Sequence, residues 1–453
     1  DFFLRFEVNS AEDMLRRIPG VPAILDAETT SGQKRGFGST GAQILINGRR
    51  FPGKSNEITA NLRRIPAANV ERVELIRGAA PGIEVQSEGV VVNLVMRPDA
   101  SLQGAGSYEM SARFNGEGYF DIDGLLTYNS TIGRLSYNVG IERNLWSNMG
   151  SSGWTHRDRA EVYYYPDGTI QELRPQSWKR TPDRWIYTGG LIYDLPSGDR
   201  ASLNALYDVR HSQEIDRTPL IRFDAQGRET LRAREDHDRE LGPTITRELG
   251  GEYASGVGPG ALTVLAILRR VTTPISDFRK REEPTRTIEV SRSRSRVKTG
   301  EDIVRATYAM PVVAGQSVEL GGEAARNTLD QDLQAFFDLD RNGTLEPVVM
   351  PISRPHVEEA RGEVFLSHKW SVNQRLSLDS SLNYEFSKLT TNYPLQPTRT
   401  LRFLKPRLDL RYKRGEQDQL RFLVERTVSQ LDFANFVPSY NVVDDRIEAG
   451  NPG

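Results

Sequence analysis

Two features of the sequence predict a membrane β-barrel with a small α/β domain at its start. From about residue 103 onward, apolar residues recur at every second position, and short turns alternate strictly with long polar connections. Length agrees, because 453 residues exceed one ordinary domain unless that domain is a large barrel or a repeat.

The period of two is explicit. Phe120, Ile122, Leu126 and Tyr128 alternate with Asp121, Asp123, Leu125 and Thr127. Leu135, Tyr137, Val139 and Ile141 alternate with Ser136, Asn138, Gly140 and Glu142, and the pattern recurs as far as Leu420, Phe422 and Val424. Alternation sets one face of a strand against apolar surroundings and the other against polar ones. A β-sandwich has the same property, so the connections must decide. Short turns fall near Asn129–Gly133, Pro196–Asp199, Gly256–Gly260, Pro311–Gln316, Ser371–Gln374 and Lys413–Gln417. Between them lie polar segments over roughly 145–184, 212–243, 271–300, 328–361 and 387–401, read as long loops. Tight turns on one side and long loops on the other are the habit of outer-membrane barrels. Tyr119, Tyr128, Trp185, Tyr193, Trp370 and Tyr384 near strand ends fit interfacial girdles. The segments supply about thirteen strands and bacterial barrels close with an even number, so a chain cut short is expected, with its final strands outside the sequence.

Residues 1–98 follow different rules. Ser10 and Asp13 form a capping box for a short helix carrying Met14, Leu15 and Ile18 before Pro19-Gly20. Gln43–Asn47 reads as a strand entering an Asn47-Gly48 turn, and Glu57–Ile65 as a second helix stopped by Pro66. Val70–Ile76 alternates, whereas Gly89–Val95 is almost wholly apolar, as for a strand covered on both faces.

These elements resemble, in order and spacing, the plug of TonB-dependent outer-membrane receptors and transporters. Ser10–Val21 is similar to the plug opening, and the similarity continues in Ile44–Arg50. Ile65–Gly78 resembles the central signature ending in Arg77-Gly78, and Gly89–Leu94 the closing plug strand. The resemblance implies a plug over 1–98 and part of a barrel over 99–453, with 22 strands in the complete barrel. It also implies location in the outer membrane of a Gram-negative cell, and a monomer surrounded by lipid and lipopolysaccharide. Its partners would be the energy-coupling protein TonB and a scarce small-molecule ligand such as an iron–siderophore complex. The chain is expected to begin at the first plug strand, Phe2–Phe6, with no TonB box ahead of it. The Arg77–Gly82 run lacks the family's common tyrosine-glycine step, which suggests a divergent branch. A receptor that signals occupancy to the periplasm and a structural or adhesive barrel are the alternatives.

Within that frame Arg77, with Glu74, is the candidate lock between plug and lumen carboxylates, the bland reading being that Arg77 merely ends a strand. Lys34, Arg35 and Phe37 in Ser31–Gly41 are the candidate ligand-facing apex, unless that loop is only solvated. Asp338, Asp340 and Asn342 start like a calcium loop, but Val349 stands where a bidentate Glu belongs, which favours a turn. The Ser291–Arg296 tract falls in a predicted extracellular loop facing lipopolysaccharide phosphates rather than nucleic acid. Net charge is −2, from 59 basic and 61 acidic residues, so no global field recruits nucleic acid. There is no Cys, the five His are scattered without ligand spacing, and no nucleophile motif occurs; no cofactor and no enzyme activity are expected. No run approaches the ~20 apolar residues of a membrane helix, which by itself reads as a soluble protein but does not exclude a transmembrane β-barrel, whose strands need only alternate apolar positions.

Overall fold

The computed structural model describes residues 2–25, 44–48, 62–63, 65–77, 90–97, 104–114, 120–144, 155–338, 340, 342, 344–348, 353–392, 398–415, 418–428, 433, 439–441 and 446–448. The first turn is a 3-10 helix over Phe2–Arg5, not a strand. Phe6 N–H donates to the Phe3 carbonyl at 3.0 Å, and the Phe2 ring lies 5.0 and 5.6 Å from those of Phe3 and Phe6. A strand would send Phe3 to the opposite face from Phe2 and Phe6; only a turn gathers all three.

Helix α1 (Ala11–Arg16) has the capping box the sequence encodes. Ser10 Oγ accepts from Asp13 N–H at 3.1 Å, and the Asp13 carboxylate accepts from Ser10 N–H at 3.0 Å. Three strands follow: β1 (Ile44–Ile46), β2 (Val70–Arg77) and β3 (Val90–Met96), in the order β1-β3-β2. The almost wholly apolar strand is therefore the central one, parallel to β1 and antiparallel to β2. Its Val92 and Leu94 are fully buried with Ala11, Leu15, Leu25, Ile44 and Leu62 in one core. Asn47 and Gly48 both take positive φ after β1, as an Asn-Gly turn requires. Of the second predicted helix Leu62 and Arg63 are helical, and Ile65 lies in a bend with its N–H donating to the Leu62 carbonyl at 3.2 Å; 57–61 and 64 lie outside the described residues.

The second sheet is antiparallel. Its strands are β4 (Ala105–Phe114), β5 (Phe120–Ile132), β6 (Leu135–Arg143), β7 (Thr155–Tyr164), β8 (Ile170–Asp194), β9 (Arg200–Phe223), β10 (Glu229–Val257), β11 (Gly260–Glu283), β12 (Arg286–Val313), β13 (Gln316–Phe337), β14 (Glu346–Pro347), β15 (His356–Ser371), β16 (Leu376–Thr391), β17 (Thr398–Lys413) and β18 (Gln419–Glu425). Neighbours pair in chain order from β4 to β18, with β7 attached to β8 and β14 to β13 as side branches. A separate ribbon pairs β19 (Ser439–Asn441) with β20 (Arg446–Glu448).

This sheet is inside out relative to a soluble protein. Val364, Leu366 and Trp370 of β15 are exposed, whereas Arg361 and Glu363 on its other face are buried. On β16, Leu382, Tyr384 and Phe386 are exposed while Asn383 and Glu385 are buried. An apolar outer face over a polar, charged inner one is the signature of a barrel wall with lipid outside. Apart from Ile170 at the far end of β8, the exposed large apolar side chains of β8 to β13 occupy the halves next to the short turns, as in Trp185–Tyr193 of β8 and Leu249–Val257 of β10.

Among the described residues, the segments over 145–184, 212–243, 271–300, 328–361 and 387–401, read from the sequence as loops, are instead largely ladder. Strands β8 to β12 run for 24 to 29 residues, against the roughly 10 that cross a bilayer. Their far ends close in tight turns. Gly168 N–H donates to the Tyr165 carbonyl at 2.9 Å, and Asp224 Oδ1 accepts from the Gln226 and Arg228 amides at 3.0 and 2.9 Å. Beyond the apolar band both faces are wet, so hydropathy no longer alternates even though the backbone pairing continues.

The orientation of the wall makes a prediction. Leu366→Arg, on the outer face, costs about 2–4 kcal/mol of unfolding free energy in detergent micelles. Ser381→Glu, which faces inward opposite Arg407, costs less than about 1 kcal/mol. A neutral Leu366→Arg would mean that the outer face meets water.

Candidate functional site

The plug touches the wall through Arg63, which follows the core residue Leu62 in sequence. Its guanidinium pairs with the carboxylate of Glu142 on β6, which is only 2% exposed. Glu142 also accepts from Asn144 Nδ2 at 2.9 Å. Glu142 occupies the polar face of an alternating strand, so parity alone points it into the lumen. The Arg63 Nε–H is buried and has no hydrogen-bond partner among the described residues. A cavity opens beside the pair, lined by Arg63, Glu109, Ser111, Asp123, Arg143 and Asn144 among others. The junction is thus a plug cation set among wall carboxylates.

Farther round the wall the lumen carries a ladder of charge. Glu323 of β13, Glu363 of β15 and Glu385 of β16 stand directly opposite one another in register. Like charges so placed repel, and three cations neutralise the row. Arg305 lies opposite Glu323, with Nη1 at 3.5 Å from its carboxylate. Arg361 pairs with Glu323 and stands 3.7 Å from both Glu363 and Glu385. Lys405 reaches Glu363 at 2.7 Å and Glu385 at 2.8 Å, and Asn383 Nδ2 donates to Glu363 at 2.7 Å. Arg305 also stacks on Phe365 at 4.3 Å, and a Cβ on Gly321 would collide with the Phe365 ring. Only glycine fits at that position without displacing the aromatic side chain.

Beyond the bilayer the inner faces of the long strands stay ionic. Glu235 of β10 accepts from Arg279 at 3.0 Å and also pairs with Arg281. Burial pushes the Glu235 carboxyl up, but Arg279 and Arg281 outweigh burial and hold it below its ordinary range. Glu172 of β8 is bridged in the same way by Arg222, at 2.7 Å, and Arg174.

The residues singled out in the sequence fall as follows. Glu74 accepts from Asn93 Nδ2 at 2.8 Å and from Arg72 Nε at 2.9 Å, all three within the plug sheet. The Asn93 amide, and then Arg72, hold its carboxyl below the usual range. Arg77 is the last residue of β2, its backbone in register with Val90. Lys34, Arg35 and Phe37 lie outside the described residues. Asp338 and Asp340 accept from the backbone N–H of Asn342 at 3.0 and 3.3 Å, and Asn342 Oδ1 accepts from Thr344 N–H at 2.7 Å. That geometry is an Asx turn. Arg63, Glu142 and the Glu323–Glu363–Glu385 row escaped the sequence reading. The wall glutamates left one signal, a charged residue at a polar position of an alternating strand, and Arg63 left none.

Comparison with known proteins gives this geometry its context. Residues 2–87 match the TonB-dependent Receptor Plug Domain. A vitamin B12 transporter, BtuB of Photobacterium profundum, is 29% identical over 121 residues, covering 26% of this chain and 19% of its own length. Among solved structures, the siderophore receptor PiuA from Acinetobacter baumannii is similar at 12% identity and TM-score 0.39, over 82% of this chain and 55% of that one. P. aeruginosa FpvA, solved with a bound heterologous pyoverdine and iron, is similar at 13% identity and TM-score 0.38, over 91% and 53%. The chain therefore spans about a fifth of the B12 transporter and about half of the two solved receptors. Residues 2–87 are thus identified, by their match over that span, as a TonB-dependent receptor plug domain.

Proposed function

We propose that this chain is the plug and part of the barrel wall of an outer-membrane transporter that imports a scarce small-molecule ligand with energy from TonB. The observation that carries this reading is the plug cation Arg63 seated on a buried carboxylate of a wall that is polar inside and apolar outside. A wide barrel is an aqueous channel unless something fills it. A plug held by polar contacts fills it and can still be moved, because each such contact contributes only on the order of 1 kcal/mol. A mechanical pull relayed by TonB would act on that seat.

In this reading Lys34, Arg35 and Phe37 form the ligand-facing apex, and Arg77 with Glu74 makes a further contact between plug and wall. The boundary between plug and wall lies near Pro98. An iron–siderophore complex is the first cargo to test. Cobalamin is the second cargo to test, a choice supported by the similarity to a vitamin B12 transporter.

Two measurements test the proposal. Radiolabelled iron–siderophore and cobalamin uptake is measured in cells with and without TonB, and accumulation is expected only when TonB is present. Equal accumulation in its absence would sink the transporter reading. The seat is tested separately by ion conductance across planar bilayers. Arg63→Ala leaves Glu142 buried without its guanidinium, a loss of about 3 kcal/mol or more, and raises conductance well above wild type. Glu142→Gln removes the charge together with its need for a partner and raises conductance less. If Arg63→Ala leaks no more than wild type, the Arg63–Glu142 contact does not hold the plug.

A further inference from the structure

One stretch of the inner wall departs from the ionic lumen. On β13 the inward positions above Asn327 are Leu329, Gln331, Leu333, Ala335 and Phe337. Leu329, Val357 of β15 and Leu389 of β16 form one buried cluster, with Val297 of β12 packed against it. Farther along β13, Leu333 and Ala335 pack with Phe337. The outward neighbours of these residues are polar: Arg326, Asp330, Glu358 and Lys388, with Arg326 paired to Glu358 at 2.9 Å. The two faces have therefore exchanged chemistry. In the wall below, Leu320, Val364 and Phe386 face outward and Glu323, Glu363 and Glu385 face inward.

That exchange shows what the inner face needs. Below, lipid covers the outward apolar side chains. Here the same strand parity turns them into a lumen where lipid cannot reach. Apolar surface left in water is unfavourable in proportion to its area, yet Val357 and Leu389 are 0% and 1% exposed. Phe433, from the chain beyond β18, is part of their cover and is itself buried against Leu329, Val357 and Leu389. Phe433 stands outside the ladder that fixes those strands. Ring and pocket can separate without breaking a β pairing among the described residues.

Polar groups border the pocket. At its lower edge Asn327 Nδ2 donates to Glu359 at 3.1 Å. Ser293 and Ser295, from the tract expected in a loop, lie in β12 opposite Ala335 and Leu333. On its other side Ser293 faces Asp277 of β11, whose neighbour on that face, Arg279, pairs with Glu235. One strand of serines thus separates apolar surface from an ionic network. A ligand seated there would have to be apolar at one end and polar at the other.

We propose that this inner-wall pocket is an apolar subsite for cargo, which takes an acyl or aryl arm of an amphipathic ligand. The polar part of that ligand meets the serines and charges of β12 and β11, and Phe433 holds the place of the arm until cargo arrives. The proposal rests on the transporter reading above and names the class of cargo. Its test uses the natural full-length protein in lipid nanodiscs, with n-alkyl carboxylates from hexanoate to octanoate as probes and empty nanodiscs to correct for partition into lipid. Affinity is expected to tighten about fourfold per added methylene. The variant L329N/L389N, checked for folding by heat-modifiable gel mobility, is expected to bind octanoate about tenfold or more weakly. F433W follows the ring and leaves the pocket unaltered: its emission is expected to shift to the red as octanoate displaces the indole into water. No octanoate binding by wild type, equal binding by the folded L329N/L389N variant, or binding that leaves the F433W emission unchanged would overturn the subsite. The last result would make Phe433 a fixed part of the wall. Binding by purified protein needs no TonB, which separates this test from uptake. TonB-independent uptake with the ring displaced defeats the transporter proposal alone, whereas TonB-dependent uptake without displacement defeats only the subsite.

Discussion

A strand that crosses lipid must pair every backbone amide with a neighbouring strand, because no water is present to take the bond. Pairing fixes the pleat, and the pleat sends alternate side chains to opposite sides. Every other feature of this wall follows from that parity. Leu366 faces outward because Phe365 and Ser367 face inward, and a slip of one residue would put Glu363 into lipid and Val364 into the lumen. The sheet therefore has two chemistries on one backbone, and neither face can change without the other.

Parity also explains why the lumen is a network of charges rather than a scatter of them. Inward positions on adjacent strands meet in register, so three glutamates on β13, β15 and β16 arrive side by side whether or not they attract. Arg305, Arg361 and Lys405 make that row tenable. A buried charge deprived of its partner is destabilising by several kcal/mol, so the ladder constrains the spacing of five strands at once. The plug uses the same chemistry at Glu142. Arg63 supplies from the plug the kind of cation that Arg361 supplies from the wall, and the seat is chemically continuous with the lumen around it.

What was legible in the sequence depends on where a single face meets a single solvent. The plug could be read closely: the Ser10–Asp13 box, the Asn47-Gly48 turn and the apolar β3 each report local physics that the packing only confirms. The lower halves of the wall strands were legible for the same reason, since lipid on one side and polar lumen on the other impose alternation. Phe2–Phe6 was misread because three aromatic side chains gathering in a 3-10 turn look, as text, like an apolar strand. The Arg63–Glu142 contact was illegible because it joins residues 79 apart in sequence, and neither residue is unusual where it stands.

The upper halves of β8 to β12 show where hydropathy fails altogether. Above the bilayer both faces of a strand are wet, so Arg, Asp and Ser serve equally well on either side and the pattern resembles a loop. The backbone has no such freedom, because a hairpin that leaves the membrane paired loses hydrogen bonds if it stops pairing. Sequence marks survive at the described tips, in the turn formers Asp167-Gly168, Gln226-Gly227 and Pro284-Thr285, which hold those connections to a few residues. Functionally the difference is large. A loop would be free to fold over the lumen, whereas paired strands stand as a stiff collar with fixed inner and outer faces. That stiffness keeps Glu172 and Glu235 against their arginines on the inside. It also holds Arg294, Arg296 and Lys298 in one line on the outside.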